Sequence, residues 1–258
     1  MRGRRDDSDA VLAMYSDPEV VALYAASSEL QGAERLLFAR YVPIGAAVLD
    51  VGVGAGRTAA FLAPRAGRYV GVDLSEPMLD QCRRRFPELQ FLRVDAADMS
   101  VFPAASFDVV VFSFNGIDAA PTIEARWRCL QECARVLRPG GALIFSEHHA
   151  RYLVYLPVVD GVSVPRAVWR CIYAIVHTAS NLLFRLPRPV FWRGQGYVRE
   201  PFTQHGWLPT FMTTPRRVAQ DIRRLGLQLI ETVTAQYPRS TWPLATPWYY
   251  YACRKPRA

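Results

Sequence analysis

The stretch that most constrains this chain is Val48-Leu49-Asp50-Val51-Gly52-Val53-Gly54-Ala55-Gly56-Arg57. An apolar run of strand character meets three alternate glycines, and a helical pattern over 57–62 follows. Glycine lets a backbone turn sharply and approach a ligand where a Cβ would clash. The helix that starts there offers unpaired N–H groups, so the corner can hold a carboxylate or a phosphate. The alternation continues along the chain. Strands are predicted over 69–74, 91–94, 107–114 and 142–147, and helices over 77–85 and 123–137. The 107–114 run, FDVVVFSF, is almost wholly apolar, as a strand covered on both faces must be. Arg138-Pro139-Gly140-Gly141 stops the preceding helix, because proline lacks a donor and glycine adopts a positive φ easily. Strands and helices at this spacing imply βαβ crossovers and a parallel sheet with helices on both faces.

Outside 43–150 the pattern changes. Residues 11–42 read as one or two helices laid over the core, and the polar start, RGRRDDSDA, reads as a frayed tail. Residues 151–214 are rich in Trp, Tyr, Phe and Pro and do not alternate. They read as an insertion after the fifth strand. A helix over 215–225, closed by Gly226, precedes two β-like runs at 227–236 and 248–254 that suit an antiparallel pair. The expected organisation is one α/β domain over 1–258. It comprises an N-terminal helical cap (1–42), a ligand-binding core (43–150), a substrate-side insertion (151–214) and a closing helix with its β pair (215–258). The 258 residues suffice for one such core.

Charge divides the chain unevenly. Residues 1–150 carry 16 Lys/Arg against 19 Asp/Glu, and residues 151–258 carry 15 against 4. The second part can therefore face an anionic partner. Within it, the helical stretch 165–186 places Arg166, Arg170, His177, Asn181 and Arg185 in one stripe, with apolar side chains elsewhere. That polarity argues against a membrane-spanning helix. The stretch is expected against the protein's own core, a second subunit or a membrane surface. Five cysteines without a CxxC pair read as reduced, packed thiols, and no metal-ligand set is visible. No signal-peptide pattern opens the chain, so a cytoplasmic protein is expected. No known nucleic-acid-binding module is apparent.

Glycine spacing narrows the ligand. The dinucleotide fingerprint is GxGxxG. Here the glycines run GxGxG, and Arg57 takes the place of the third dinucleotide glycine. Asp50, two residues ahead of Gly52, suits a cationic amine better than a pyrophosphate. Asp73 ends the second strand, where a carboxylate can accept both hydroxyls of a ribose. Asp95 and Ala96 follow the third strand and suit an adenine edge. These strand ends open on one rim of the sheet, where doubly wound folds bind ligands.

On these residues the chain resembles the class I methyltransferases that use S-adenosylmethionine (SAM), of the small-molecule type. The matching stretches are VLDVGVGAGRT, YVGVDLSEPML, FLRVDAADM, FDVVVFSFNGID and ECARVLRPGGALIFSEHH, in the family's order. The resemblance implies a Rossmann-like, seven-stranded, mostly parallel sheet with an antiparallel last strand. It implies SAM as cofactor, with Asp50, Gly52, Gly54 and Gly56 around the methionine moiety. Asp73 would hold the ribose, Leu74 and Met78 would pack nearby, and Asp95 and Ala96 would hold the adenine. The end of the fourth strand, Ser113 included, would close over the methionine part.

Displacement at a sulfonium needs positioning and exclusion of water. A hydroxyl acceptor also benefits from a general base. His148 and His149, after the fifth strand, and Asn115, after the fourth, are the catalytic candidates. Asp118 can help to orient the acceptor, and His205 is a further candidate in the insertion. The sequence Phe112-Ser113-Phe114-Asn115 lacks the Asp/Asn-Pro-Pro-Tyr/Phe signature of base-amine methyltransferases. A small organic acceptor is therefore expected, a sugar or secondary-metabolite hydroxyl, in a pocket supplied by residues 154–211. The alternatives are N- or C-methylation of a small metabolite, or a module that binds SAM without turnover. An NAD-linked oxidoreductase is disfavoured by Asp50 and Arg57.

Overall fold

The computed structural model describes residues 2–158, 161–199 and 208–257. Five parallel strands form its centre: β1 (Ala47–Val51), β2 (Arg68–Asp73), β3 (Gln90–Arg93), β4 (Phe107–Phe112) and β5 (Leu137–His149). They lie in the order β3-β2-β1-β4-β5. The sheet sorts its side chains by the two-residue period of a strand. Leu49 and Val51 of β1, with Val110 and Phe112 of β4, enter one core, and Val48, Val109 and Val111 enter the other. This is why both central strands read as apolar runs interrupted only by Asp50 and Asp108.

Helices cover both faces. On one side lie α3 (Gly32–Tyr41), α4 (Ala59–Leu62) and α5 (Glu76–Arg85), which contribute Leu37, Phe38, Leu62, Leu79 and Cys82. On the other lie α6 (Ile123–Val136) and α9 (Pro215–Arg224), which contribute Leu130, Cys133, Val218 and Ile222. Helix starts follow local chemistry. Thr122 Oγ1 accepts from the Ala125 N–H at 3.0 Å at the head of α6. Arg83, Arg84 and Arg85 close α5 where the helix dipole favours cations.

The closing pair, β8 (Gln228–Thr234) and β9 (Trp248–Arg254), is antiparallel. β9 also runs antiparallel along β5, from Ala142 opposite Arg254 to His148 opposite Trp248. The strands depart from the sequence expectation in two ways. The sheet has nine strands, because β6 (Gln195–Val198) and β7 (Thr210–Thr213) form a hairpin inside the 151–214 segment. β7 adds to the far end of β5, with His148 opposite Met212 and His149 opposite Thr213. β5 also begins at Leu137, so Arg138-Pro139-Gly140-Gly141 lies within the strand. Gly140 takes φ +80° there, where the register against β4 shifts.

The polar start is helical rather than frayed: α1 (Arg2–Ser16) is followed by α2 (Pro18–Ala26), giving three helices before β1. Tyr15 and Tyr24 meet edge to face at 5.9 Å and hold the first two together. The stretch expected at 165–186 is α7 (Val164–Arg185), followed by the short α8 (Pro189–Arg193). Four cysteines are buried and free, but Cys171, on α7, is exposed.

Candidate active site

A cavity of about 410 Å³ opens at the ends of β1, β2 and β4. The turn after β1 forms its floor, residues 73–75 and 94–97 one wall, and residues 112–114 the other. Asp50, Gly52, Gly54, Asp73, Leu74, Met78, Asp95, Ala96 and Ser113 all line it. Gly52 and Gly54 adopt φ +63° and +55°, a conformation that L side chains rarely take. Gly56 is the exception among the glycines. It faces α5, where an added Cβ would stand 3.0 Å from the Phe86 ring.

The roof was not visible in the sequence. Val11, Leu12 and Tyr15 of α1 and Tyr24 of α2 line the cavity, and no described residue of the 151–214 segment does. The contact from that segment is indirect: the Tyr197 hydroxyl donates to the carbonyl of Ala120, itself a lining residue, at 2.6 Å.

Asp73 clasps the corner. Its Oδ2 accepts from the Gly54 N–H and its Oδ1 from the Ser75 N–H, each at 2.9 Å. Each oxygen keeps acceptor capacity for a ligand. Asp50 Oδ2 accepts from the Thr58 hydroxyl at 2.6 Å and the Tyr69 hydroxyl at 2.7 Å. Burial pushes the Asp50 carboxyl up to about 6, against those two bonds. Asp95, exposed on the rim, caps its own turn through the Ala97 N–H at 2.8 Å.

Arg57 performs a task its position did not reveal. Its guanidinium grips Glu34 of α3 with two bonds, at 2.6 and 2.7 Å, and lies 4.6 Å from the centre of the Phe114 ring. Glu34 is fully buried, and it also accepts from the Gln31 N–H at 2.7 Å and from the Ser113 hydroxyl. One carboxylate thus ties the N-terminal cap to the glycine corner and to the end of β4. Gln31 and Glu34, three apart before an apolar run, carried a helix-start signal. Nothing in the sequence gave Glu34 a partner 23 residues away.

The catalytic candidates divide. His148, Asn115 and Asp118 are brought together behind the Phe114–Ile117 wall of the cavity. Asp118 Oδ2 accepts from the His148 main-chain N–H and lies against the ring Nδ1, both at 2.7 Å. A proton on Nδ1 directed at Asp118 leaves the acceptor lone pair on Nε2. Nε2 lies 3.5 Å from Asn115 Nδ2. Burial raises the Asp118 carboxyl well above its ordinary range. Asn115 holds a left-handed backbone, φ +63°, with its N–H bonded to the Ser146 hydroxyl at 2.8 Å. Among the described residues, Asn115 Oδ1 and Asp118 Oδ1 are buried without a partner.

His149 points elsewhere. It lines a second cleft, on the other side of the sheet end, with its Nδ1 3.3 Å from the Thr246 carbonyl. Burial pulls its imidazole down to about 4. His205 lies outside the described residues.

Residues 48–141 match the family model described as a methyltransferase domain. Over this segment the chain is similar to that family. A fatty-acid O-methyltransferase from Mycolicibacterium smegmatis is 38% identical over 112 residues, which cover 42% of this chain and 39% of that protein. A demethylmenaquinone methyltransferase from Beutenbergia cavernae is 37% identical over 103 residues, 40% of this chain and 41% of that protein. The chain thus spans about two fifths of the length of these curated relatives. Among solved structures, the Burkholderia thailandensis 1,6-didemethyltoxoflavin-N1-methyltransferase, with bound 1,6-didemethyltoxoflavin and S-adenosylhomocysteine, superposes with a TM-score of 0.62. Its identity is 17%, over 96% of this chain and 87% of that one. The fold is that of this solved methyltransferase.

Proposed function

We propose that this chain transfers a methyl group from SAM to an oxygen of a small, largely apolar acceptor, with His148 as proton acceptor. The observation that carries the reading is the cavity at the glycine corner, lined by Asp73 and residues 94–97, inside the matched segment. Its residues fit the cofactor. The open backbone at Gly52 and Gly54 leaves room for the methionine part. Asp50 supplies a carboxylate for its amine, Asp73 acceptors for its ribose, and Leu74 and Ala96 an apolar slot for its adenine. When bound, SAM supplies a methyl already activated on a sulfonium.

The protein's own part is to hold the acceptor and take its proton. The Nε2 lone pair of His148 is suited to the second task. The unpartnered Asn115 Oδ1 and Asp118 Oδ1 are acceptors that a substrate hydroxyl can satisfy, since buried polar atoms left over at a site point to a ligand. An amine acceptor has less need of such a base, which favours oxygen. The apolar roof of Val11, Leu12, Tyr15 and Tyr24 favours a less polar acceptor than a sugar. The named activity of the Mycolicibacterium smegmatis relative, O-methylation of fatty acids, is in keeping with this choice. A screen of hydroxylated aromatic and fatty acceptors, read by product mass, tests the reading. A chain that binds S-adenosylhomocysteine but methylates neither class would be a binding module instead.

Two measurements test the cofactor roles. Asp73→Ala should weaken S-adenosylhomocysteine binding by about 1–3 kcal/mol, the worth of a charged hydrogen-bond acceptor. An unchanged Kd in the folded variant would remove Asp73 from the ribose. Asp50 gives a pH signature. A free carboxyl ionises near 4, whereas the folded one ionises at about 6. Between those values the folded state holds the extra proton, so this group's contribution to stability falls as pH rises across the window. A cationic amine beside Asp50 reverses the preference, because it favours the ionised form. Affinity should therefore rise as pH is raised through about 6, and calorimetry of Asp50→Asn should lose that dependence.

A further inference from the structure

α7 inverts the usual arrangement of a surface helix. Its polar stripe faces the protein. Asn181 Nδ2 donates to the Leu153 carbonyl at 3.1 Å, Arg185 Nη1 donates to the Tyr152 carbonyl at 3.2 Å, and Thr178 Oγ1 accepts from the Tyr155 N–H at 3.0 Å. The His177 ring packs on Tyr152 and Tyr155. The irregular segment beneath, 152–155, has main-chain groups that no sheet ladder satisfies; α7 takes the Tyr152 and Leu153 carbonyls and the Tyr155 N–H, and the His149 and Leu244 carbonyls take the N–H groups of 152–154. The apolar side chains are left outside. Val168, Trp169, Ile172, Ile175, Leu183 and Phe184 are all exposed, Ile175 by 69% and Leu183 by 72%. A contiguous apolar face of this length marks an interaction surface. No helix among the described residues is long and apolar enough to cross a membrane.

Charge around the face selects its partner. Between Gly161 and Val198 the chain has no lysine and no acidic residue, and Arg166, Arg170, Arg188 and Arg193 reach the surface there, while Arg185 is buried with the inward stripe. The surface continues from α7 onto α8. Trp192, 67% exposed, donates through Nε1–H to the Leu186 carbonyl at 2.8 Å, which ties it to the end of α7. Trp192 also lines the second cleft, about 600 Å³ in volume, with Arg151, Arg193, Arg216 and Arg217. No carboxylate is among its described lining residues. A second copy docked face to face would set these guanidinium groups against their own kind, because a two-fold contact pairs a surface with itself. Anionic lipid headgroups neutralise them, while the headgroup–acyl boundary receives the apolar side chains.

The geometry points to the α7–α8 face as a docking surface for an anionic phospholipid bilayer, with the arginine-lined cleft taking lipid phosphates. The helix lies in the interface, with Trp169 and Trp192 at headgroup level. Docking is independent of methyl transfer, so its test reads vesicle binding alone. The 258-residue chain is floated with vesicles of phosphatidylcholine, or of phosphatidylcholine and phosphatidylglycerol in equal parts. Binding is expected to the second and not the first, and to weaken as salt is raised. Ile175→Glu/Leu183→Glu, at two exposed positions, should lower the partition coefficient at least about tenfold. Its circular dichroism and affinity for S-adenosylhomocysteine should match the parent. Arg193→Ala/Arg216→Ala should weaken binding to the phosphatidylglycerol vesicles. The proposal is overturned if the parent fails to float, or if either double variant floats as well as the parent. It is equally overturned if light scattering shows a dimer that Leu183→Glu dissolves, since the face would then belong to a second copy.

Discussion

His148→Gln is expected to lower kcat by about 10²–10⁴, the usual worth of a positioned general base, while the Kd for S-adenosylhomocysteine stays unchanged. The split follows from placement. His148 stands behind the cavity wall and does not line the cofactor space. Its Nδ1 is committed to Asp118 at 2.7 Å, which leaves Nε2 as the atom able to accept a proton. Glutamine retains the side chain's bulk but has no imidazole nitrogen to protonate. Asp118→Asn should move kcat in the same direction, because an amide that donates toward Nδ1 reverses the tautomer. The measurement is release of S-adenosylhomocysteine in steady state, at saturating cofactor, with any acceptor that supports turnover. If His148→Gln keeps its rate to within about threefold, the ring is not the base, and transfer proceeds by positioning alone.

The choice between the two histidines shows what sequence reading can and cannot reach. Adjacent residues on a strand point to opposite faces. Only one of His148 and His149 could therefore share a face with Asn115, and the strand period carried that information. Which one it was depended on where β5 ends. The strand runs through His149 because β7 and β9 both add to its far end, and β7 is four residues with no helix-free alternation to announce it. The core strands were readable for the opposite reason. β1 and β4 are covered on both faces, so burial alone writes their apolar runs. The glycine corner was readable because positive φ restricts residue choice. The roof over the cavity was not, since nothing local in α1 or α2 reports which surface those helices cover. The sequence left open which side of α7 faces out. Its stripe was found, but a stripe does not say which side is out; the main-chain groups of 152–155 decide that.

The latch at Glu34 yields the second large effect. Glu34→Ala should destabilise the fold by about 3–5 kcal/mol, as removal of one partner from a buried ion pair does. For a chain of this size that corresponds to a fall in Tm of roughly 10 °C. The magnitude rests on burial. The Glu34 side chain is fully buried and that of Arg57 only 12% exposed, at 2.6 Å separation, so solvent screens the pair little. The variant strands the Arg57 cation in a desolvated site and leaves the Gln31 N–H and the Ser113 hydroxyl without their acceptor. Arg57 also lines the cavity, so S-adenosylhomocysteine should bind the variant more weakly than its residual stability alone would require. The double variant Glu34→Ala/Arg57→Ala separates pair from site. It removes the stranded charge, so it should recover part of the lost stability, and the coupling can be read from a double-mutant cycle by thermal and denaturant unfolding. It should not recover cofactor affinity if the latch holds the corner in shape. A loss below about 1 kcal/mol in the single variant would give the pair the energy of an exposed surface bridge, and the cap would then have to be held by its apolar contacts.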